Sequence, residues 1–368
     1  MDFALLLEWI IKSVILLLAL VTGFAYLTLY ERKALARIQV RIGPNRAGPG
    51  GWLQPLADAI KLIFKEELVP SKADKLIFII APVVTAVPAL IILAVVPWGD
   101  RANFFGREIS LSIANINVGV LYITAIASIS IYGIVLAGWS SNNKYAMLGG
   151  LRSTAQMISY ELALGLAFIG PLLLAGTMDV AEIIKTQKAI GWFFIWQPVG
   201  AAIFWISTLA EVNRAPFDMP EAEQELTAGY HTEYSGMKFA LFFMAEYIKM
   251  IAVSAIAASL FFGGYLGPDL SWIPVIGPII NPWLGPIYLL IKVVILLFGM
   301  IWVRATLPRM RYDRLMAFGW KFLLPLALMN VFITAVGVVL NTLWLIPVLT
   351  VLSLVLLLYL ARNSIGRR

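Results

Sequence analysis

Seven apolar runs, each near the length of a membrane crossing, constrain this chain before any other feature. They lie near residues 3–30, 76–98, 113–138, 156–176, 192–210, 237–264 and 285–303, bounded by charged or turn residues. A crossing helix needs about 20 predominantly apolar residues. After Lys321 a further apolar stretch of about 40 residues reaches Ala361, twice what one crossing needs. It is therefore expected to form two short crossings that turn near Asn341–Thr342. Hydrophobic residues make up 61% of the chain and charged residues 13%, against about 45–50% and about 25% in an ordinary soluble domain. That composition excludes a soluble globular enzyme. The expected fold is an all-α polytopic membrane protein of eight or nine transmembrane helices plus an amphipathic interfacial helix, organised as one domain over residues 1–368. Acidic Asp2 and Glu8 take the place of a basic leader, so no cleavable signal peptide is expected.

The net charge of +7 bears on topology, and no nucleic-acid partner is inferred from it. Connections 31–75, 139–155, 212–238 and 304–321 hold eighteen Lys and Arg residues, whereas Arg101, Arg107, Lys185 and Lys188 are the four in the opposite connections. Positive residues collect on the cytoplasmic side. This predicts cytoplasmic basic and acidic loops, an external N-terminus and, with Arg362, Arg367 and Arg368 in the tail, nine crossings rather than eight. The implied location is a cell membrane with these loops on its inner face. With no cysteine and one histidine, His231, the chain is expected to bind no iron–sulfur cluster or metal of its own.

Three cytoplasmic features carry the functional reading. The segment 31–75 holds Arg32 and Arg41, and its Gly43-Pro44-Asn45 turn is expected to end the first helix near Gly43. Residues 52–68 follow as an amphipathic helix, with Trp52, Leu53, Leu56, Ile60, Ile63 and Phe64 on one face and Asp58, Lys61 and Lys65 on the other. Its pattern fits both an interfacial helix lying on lipid and a wall roofing a cavity at the membrane surface. The loop 211–238 carries six carboxylates, Glu211, Asp218, Glu221, Glu223, Glu225 and Glu233, where a positive loop is expected. Pro216 and Pro220 hold Phe217-Asp218-Met219 out of helix.

Ionisable residues also fall inside the apolar runs: Glu161, Glu246, Lys249 and Lys292, with Glu211 at the inner end of the fifth. A charge at a helix centre costs about 2.5–3.5 kcal/mol on insertion scales, and such residues mark ion or proton paths. Glu246 and Lys249, three apart, are expected to pair locally. Tyr160 and Tyr247 supply hydroxyls that could extend a relay, and His231 is expected to pair with a carboxylate without a catalytic role.

Together these motifs resemble the H subunit of bacterial respiratory complex I, the mitochondrial subunit 1 family. They are Glu31-Arg32-Lys33, Gln39-x-Arg41-x-Gly43-Pro44-Asn45, Leu53-Gln54-Pro55-Leu56-Ala57-Asp58, Ser159-Tyr160-Glu161, Ala210-Glu211-x-Asn213-Arg214-x-Pro216-Phe217-Asp218-x-Pro220-Glu221 and Ala245-Glu246-Tyr247. The resemblance runs from about Glu31 to Arg314. It implies a membrane-arm subunit that forms the quinone chamber at the junction with the peripheral arm, with no independent activity when isolated. Its partners would be the peripheral-arm subunits of the quinone site and terminal cluster, small membrane-arm subunits, quinone and lipid. FMN and iron–sulfur clusters would sit on those partners. By residue match, Arg32, Arg41, Asp58, Arg214 and Phe217 would shape the quinone cavity. Glu161, Glu211, Asp218, Glu221, Glu223, Glu225, Glu246 and Tyr247 would form the proton path to the pumping modules. Related readings are the equivalent subunit of a ferredoxin-dependent photosynthetic complex I or of an energy-converting hydrogenase. A stand-alone antiporter would instead show inverted repeats with broken helices, and none is visible in the sequence.

Overall fold

The computed structural model describes residues 3–104, 107–219, 229–268 and 277–365. Its first helix, α1 (Phe3–Ile38), has 36 residues, about 54 Å at the standard rise, and so projects well beyond a hydrocarbon core of about 30 Å. It ends before the expected Gly43. Val40 takes a left-handed conformation, φ 55°, and the Arg41 amide donates to Ala36 O at 2.8 Å while the Val40 amide donates to Arg37 O at 3.1 Å. These paired bonds close the helix ahead of the Gly-Pro turn. Helix α2 (Gln54–Ile63) occupies the centre of the expected 52–68 stretch, with Pro55 in its first turn.

The bundle continues with α3 (Lys75–Ile91), α4 (Gly119–Ser140) and α5 (Lys144–Ala175). Asp74 caps α3 by accepting from the Leu76 and Ile77 amides at 3.2 and 3.4 Å. Helices α3 and α4 approach so closely that a Cβ on Gly133 would lie 2.0 Å from Thr85 Oγ1 and 2.8 Å from the Thr85 amide. Small residues permit this contact between helices in lipid. Gly133→Ala is expected to force the pair apart at a cost of about 1–3 kcal/mol, seen as a lower thermal midpoint of the detergent-solubilised protein. An unchanged midpoint would refute that close packing. Helix α5 begins well before the expected apolar run at 156, because Asn143 caps it by accepting from the Tyr145 amide at 2.9 Å.

Between α3 and α4, strands β1 (Arg101–Phe104) and β2 (Arg107–Ser110) pair antiparallel, Arg101 opposite Ser110. This hairpin was not expected from the sequence. Helix α6 (Val180–Ile190) follows α5. The fifth apolar run is broken into α7 (Phe193–Trp196) and α8 (Pro198–Glu211). Pro198 opens the second piece, and buried Gln197 at the break donates through Nε2 to Thr334 Oγ1 at 2.9 Å. A broken apolar helix is thus present where an unbroken one was expected.

Two long helices come next, α9 (Gly236–Phe261) and α10 (Gly277–Thr306). Helix α11 (Tyr312–Phe318) then runs through a π turn at Gly319–Leu323 into α12 (Leu324–Val339). At Asn341, φ 54°, the chain reverses, with the Thr342 amide donating to Gly337 O at 2.9 Å. Helix α13 (Leu345–Ile365) packs back on α12, and Ile346 lies against Gly337. The C-terminal stretch is therefore two helices with the turn where the sequence indicates it. Among the described residues seven helices are long and apolar enough to cross a membrane, and Pro198–Glu211 and Leu345–Tyr359 are shorter apolar helices. The protein is an all-α polytopic membrane protein.

Candidate functional site

Two adjoining features lie on either side of α1. One is a cavity of 460 Å³ walled by α1, α2 and α9, with Phe24, Thr28 and Arg32 from α1, Asp58 from α2, and Phe243 and Met244 from α9. Its wall is largely apolar, and its one ion pair among the described residues joins Arg32 Nη1 to Asp58 Oδ2 at 2.8 Å. Gln54 Nε2 donates to the other Asp58 oxygen at 3.2 Å. Both partners are partly exposed, 47% and 25%, so the pair contributes at most about 1 kcal/mol to stability. Trp52, Leu56, Ile60 and Phe64 of the apolar stripe are exposed, pointing away from the cavity. Helix α2 therefore walls the cavity with Asp58, Lys61, Leu62 and Ile63 and turns most of its apolar stripe outward.

A tether holds α2 there. Glu67 pairs with Lys238 at 3.0 Å, and Ser235 Oγ accepts from the Leu68 amide and donates to Glu66 O, both at 3.1 Å. Gly236 has φ 59°, and a Cβ on it would meet Lys65 O at 3.3 Å, so a side chain there would strain this junction.

The second feature is a line of buried polar groups. Successive α-helical residues point about 100° apart, so while Arg32 faces the cavity, Glu31 faces the bundle interior and is 3% exposed. Its Oε1 accepts from Arg214 Nη1 at 3.4 Å and from Arg304 Nη1. Its Oε2 is buried without a hydrogen-bond partner among the described residues. The Arg214 guanidinium lies 4.2 Å from the Tyr247 ring centroid, a cation–π arrangement. Tyr247 in turn contacts Phe24 and Phe243, with ring centroids 6.0 and 4.8 Å away. Those two phenylalanines also wall the cavity, so Tyr247 separates it from the arginine.

Next to Tyr247, buried Glu246 lies 3.4 Å from the Tyr230 hydroxyl, which donates to it, and 3.7 Å from His231 Nε2. Tyr230 and His231 belong to a short turn, Gly229–His231. Deeper in, Lys249 and Glu211 line a cavity of 20 Å³, and Glu211 and Glu161 line another of 30 Å³ together with Thr124 and Thr208. Glu161 accepts from Ser128 Oγ on α4. The line thus runs across α1, α9, α8, α5 and α4.

The structure brings Arg32 and Asp58 together at the cavity, and Arg214, Tyr247, Glu246, Glu211 and Glu161 along the inner line. Arg41 is exposed beyond the end of α1, where Nε donates to Gln39 Oε1 at 2.8 Å. Phe217 is 4% exposed and packs on Tyr160, ring centroids 5.4 Å apart, away from the α1–α2–α9 cavity. Gln156 Nε2 fixes that turn by donating to Ala210 O at 2.9 Å and Phe217 O at 2.7 Å. Asp218 is half-buried beside it, while Glu221, Glu223 and Glu225 lie outside the described residues.

Three expectations about the polar side chains need amending. Glu246 pairs with Tyr230 and His231, and no hydrogen bond or ion pair joins it to Lys249, because the turn at 229–231 brings better-placed donors. Lys292 donates to the carbonyls of Phe262, Gly264 and Leu266 at 2.7, 2.7 and 2.5 Å. It closes the C-terminal end of α9, where a cation is favoured, and stands apart from the acid line. The Tyr160 hydroxyl donates to Leu315 O at 2.9 Å, and among the described residues no hydrogen bond joins it to Glu161. Buried Glu31 joins Arg214 and the partly exposed Arg304 in one ion-pair centre, which sequence reasoning missed. The legible signal was Glu31's place in an interior-facing helix position beside Arg32.

Outside the spanning segments, burial pushes the Tyr234 phenol up to about 12. It therefore stays neutral, 3.2 Å from Ser140 Oγ and stacked on Phe78 at 4.0 Å.

Residues 11–335 match the family model described as NADH dehydrogenase. A protein of Deinococcus deserti, named as the H subunit of NADH-quinone oxidoreductase, is 52% identical over 332 residues, covering 90% of this chain and 83% of that protein. Its namesake in Thermomicrobium roseum is 48% identical, covering 91% of this chain and 97% of the relative. The namesake in Protochlamydia amoebophila is 51% identical, with 85% and 92% covered. Matched along most of its length by the family model and by these three relatives, the chain belongs to the NADH dehydrogenase family.

Proposed function

We propose that this chain is the membrane-arm component of a proton-pumping NADH-quinone oxidoreductase that houses the quinone chamber and passes the effect of quinone reduction to a path of acids. Relatives at about half identity carry the name of that complex. The observation that carries the reading is the division of α1, where Arg32 engages the cavity and its neighbour Glu31 engages the inner line. The cavity suits an isoprenoid quinone: its 460 Å³ lies within the common range for ligand sites, about 300–1,000 Å³. Its walls are apolar, with an ion pair available to a polar headgroup.

Reducing a quinone to quinol consumes two protons. Drawing them from groups beside the cavity changes the local charge, and one charge at about 4 Å is worth about 4 kcal/mol at an effective dielectric of 20. That is enough to displace a weak pair such as Arg32–Asp58 and to shift Arg214, which is held between Glu31 and Tyr247. The displacement biases the protonation of Glu246, Glu211 and Glu161, and so of neighbouring pumping subunits. In this reading FMN and the iron–sulfur clusters sit on peripheral partners, and the basic and acidic loops face the cytoplasm.

Asp58→Ala tests the cavity end. The exposed pair contributes little to stability, so the complex is expected to assemble and keep its NADH–ferricyanide activity. Quinone reductase activity should fall roughly tenfold, the equivalent of about 1.4 kcal/mol. Unchanged quinone kinetics would remove the cavity from the reaction.

A further inference from the structure

Lys249 is a cation in the middle of α9, 8% exposed, and among the described residues it makes no hydrogen bond or ion pair. Burying an ammonium there costs several kcal/mol after relaxation, and the charges that offset it, Glu211, Glu246 and Glu161, act on it without a direct contact. Glu211, 7% exposed, also has no direct hydrogen bond or ion pair among the described residues. These two opposite charges face the same 20 Å³ cavity, together with Ser130 of α4. A buried water needs about 10–15 Å³ of such space and two to four polar partners, so this cavity fits one molecule. The Ser130 hydroxyl donates to Ala127 O at 2.7 Å, which leaves its lone pairs turned to other donors. The 30 Å³ cavity on the other side of Glu211 offers the same kind of berth, with Glu161, Thr124 and Thr208 around it.

We infer that Lys249 and Glu211 form an ion pair separated by one water, and that Lys249 hands a proton to Glu211 through this water. The inference rests on the reading that Glu211 belongs to a proton path. Its physical basis is the polarity of the two ends. An ammonium can only donate and a carboxylate can only accept, so the water offers its oxygen to Lys249 and a hydrogen to Glu211. Transfer then needs no reorientation. The water gives one O–H proton to Glu211 as it takes one N–H proton from Lys249, leaving amine and carboxylic acid with the total charge unchanged. Glu211 passes its proton through the second berth to the Glu161 carboxylate, and the amine takes up the next proton arriving from the Glu246 side. A purely packing role would leave both cavities irrelevant to turnover.

The test uses the assembled complex in inverted membrane vesicles, with Lys249→Met, Lys249→Arg and Lys249→Met/Glu211→Gln. In Lys249→Met, Glu211 loses its compensating charge. A protonated-carboxyl stretch should appear in the resting infrared spectrum and vanish in the double variant. Quinone reductase and proton uptake should fall at least tenfold while NADH–ferricyanide activity persists. Lys249→Arg keeps the charge but cannot release its proton, so it should show no new carboxyl stretch and yet pump no better than Lys249→Met. Wild-type pumping in Lys249→Met, or no carboxyl stretch, overturns the inference. If Lys249→Met fails to assemble, the neutral double variant must assemble; failure of both assigns Lys249 a packing role and also overturns it. Normal pumping by Glu211→Gln would sink the proton-path reading instead, while the carboxyl stretch would still report the water-separated pair.

Discussion

Replacing Glu31 with alanine is expected to destabilise this protein by about 3–5 kcal/mol, because it takes away the anion shared by two guanidinium groups in the bundle interior. Arg214 and Glu31 are each 3% exposed at their side chains, and Arg304 is 29% exposed. A folded protein has only about 5–15 kcal/mol in hand, so the variant should leave little full-size complex in the membrane. Native gels and residual NADH–quinone reductase activity would show the loss together. Glu31→Gln keeps the shape and some hydrogen bonding and should fall between the two. One position further along the same helix, the Arg32–Asp58 pair has the same chemistry and far less weight, because both partners remain in contact with solvent. Burial, and not the presence of an ion pair, sets the scale of the two effects. Wild-type levels of stable complex in Glu31→Ala would show that the two arginines are held by other groups.

The contrast also marks where sequence reasoning stops. The crossings are legible because some twenty apolar residues admit few alternatives, and the reversal at Asn341 is legible because asparagine tolerates the left-handed conformation. The early start of α5 is not. Its cap, Asn143, sits in a polar stretch that reads equally well as a loop, and only a helix longer than the membrane is thick makes it a beginning. The break at Gln197-Pro198 leaves a proline as its sole trace, since proline is equally at home in the first turn of an intact helix. Within the site, sequence spacing puts Arg32 and Asp58 in one cytoplasmic segment but says nothing of which way Arg214 turns. It stands on a loop, and its direction is decided by Glu31 and Tyr247 on two other helices. The Glu246–Lys249 expectation failed for the same reason: an i, i+3 spacing permits a pair, and the turn carrying Tyr230 and His231 supplied a better one.

Glu211→Gln should separate energy coupling from assembly. The carboxylate ends α8, is 7% exposed, and lines both water-sized cavities, with Lys249 on one side and Glu161 on the other. Glutamine has the same size and keeps a hydrogen-bonding oxygen, so packing among Thr208, Val253 and Phe204 is preserved. What it cannot do is take up and release a proton. A positioned proton-transfer group contributes about 10²–10⁴-fold to the step it serves, and if the path runs through Glu211 alone, proton uptake by vesicles should fall about a hundredfold. Quinone reduction should fall with it wherever the two are tightly coupled, while NADH–ferricyanide activity, which needs only the peripheral arm, stays. A slowed quinone reduction with intact pumping per electron would mean that Glu211 acts on the cavity. Full activity in both would mean that protons bypass it, and the two cavities beside it would then be packing defects in the bundle.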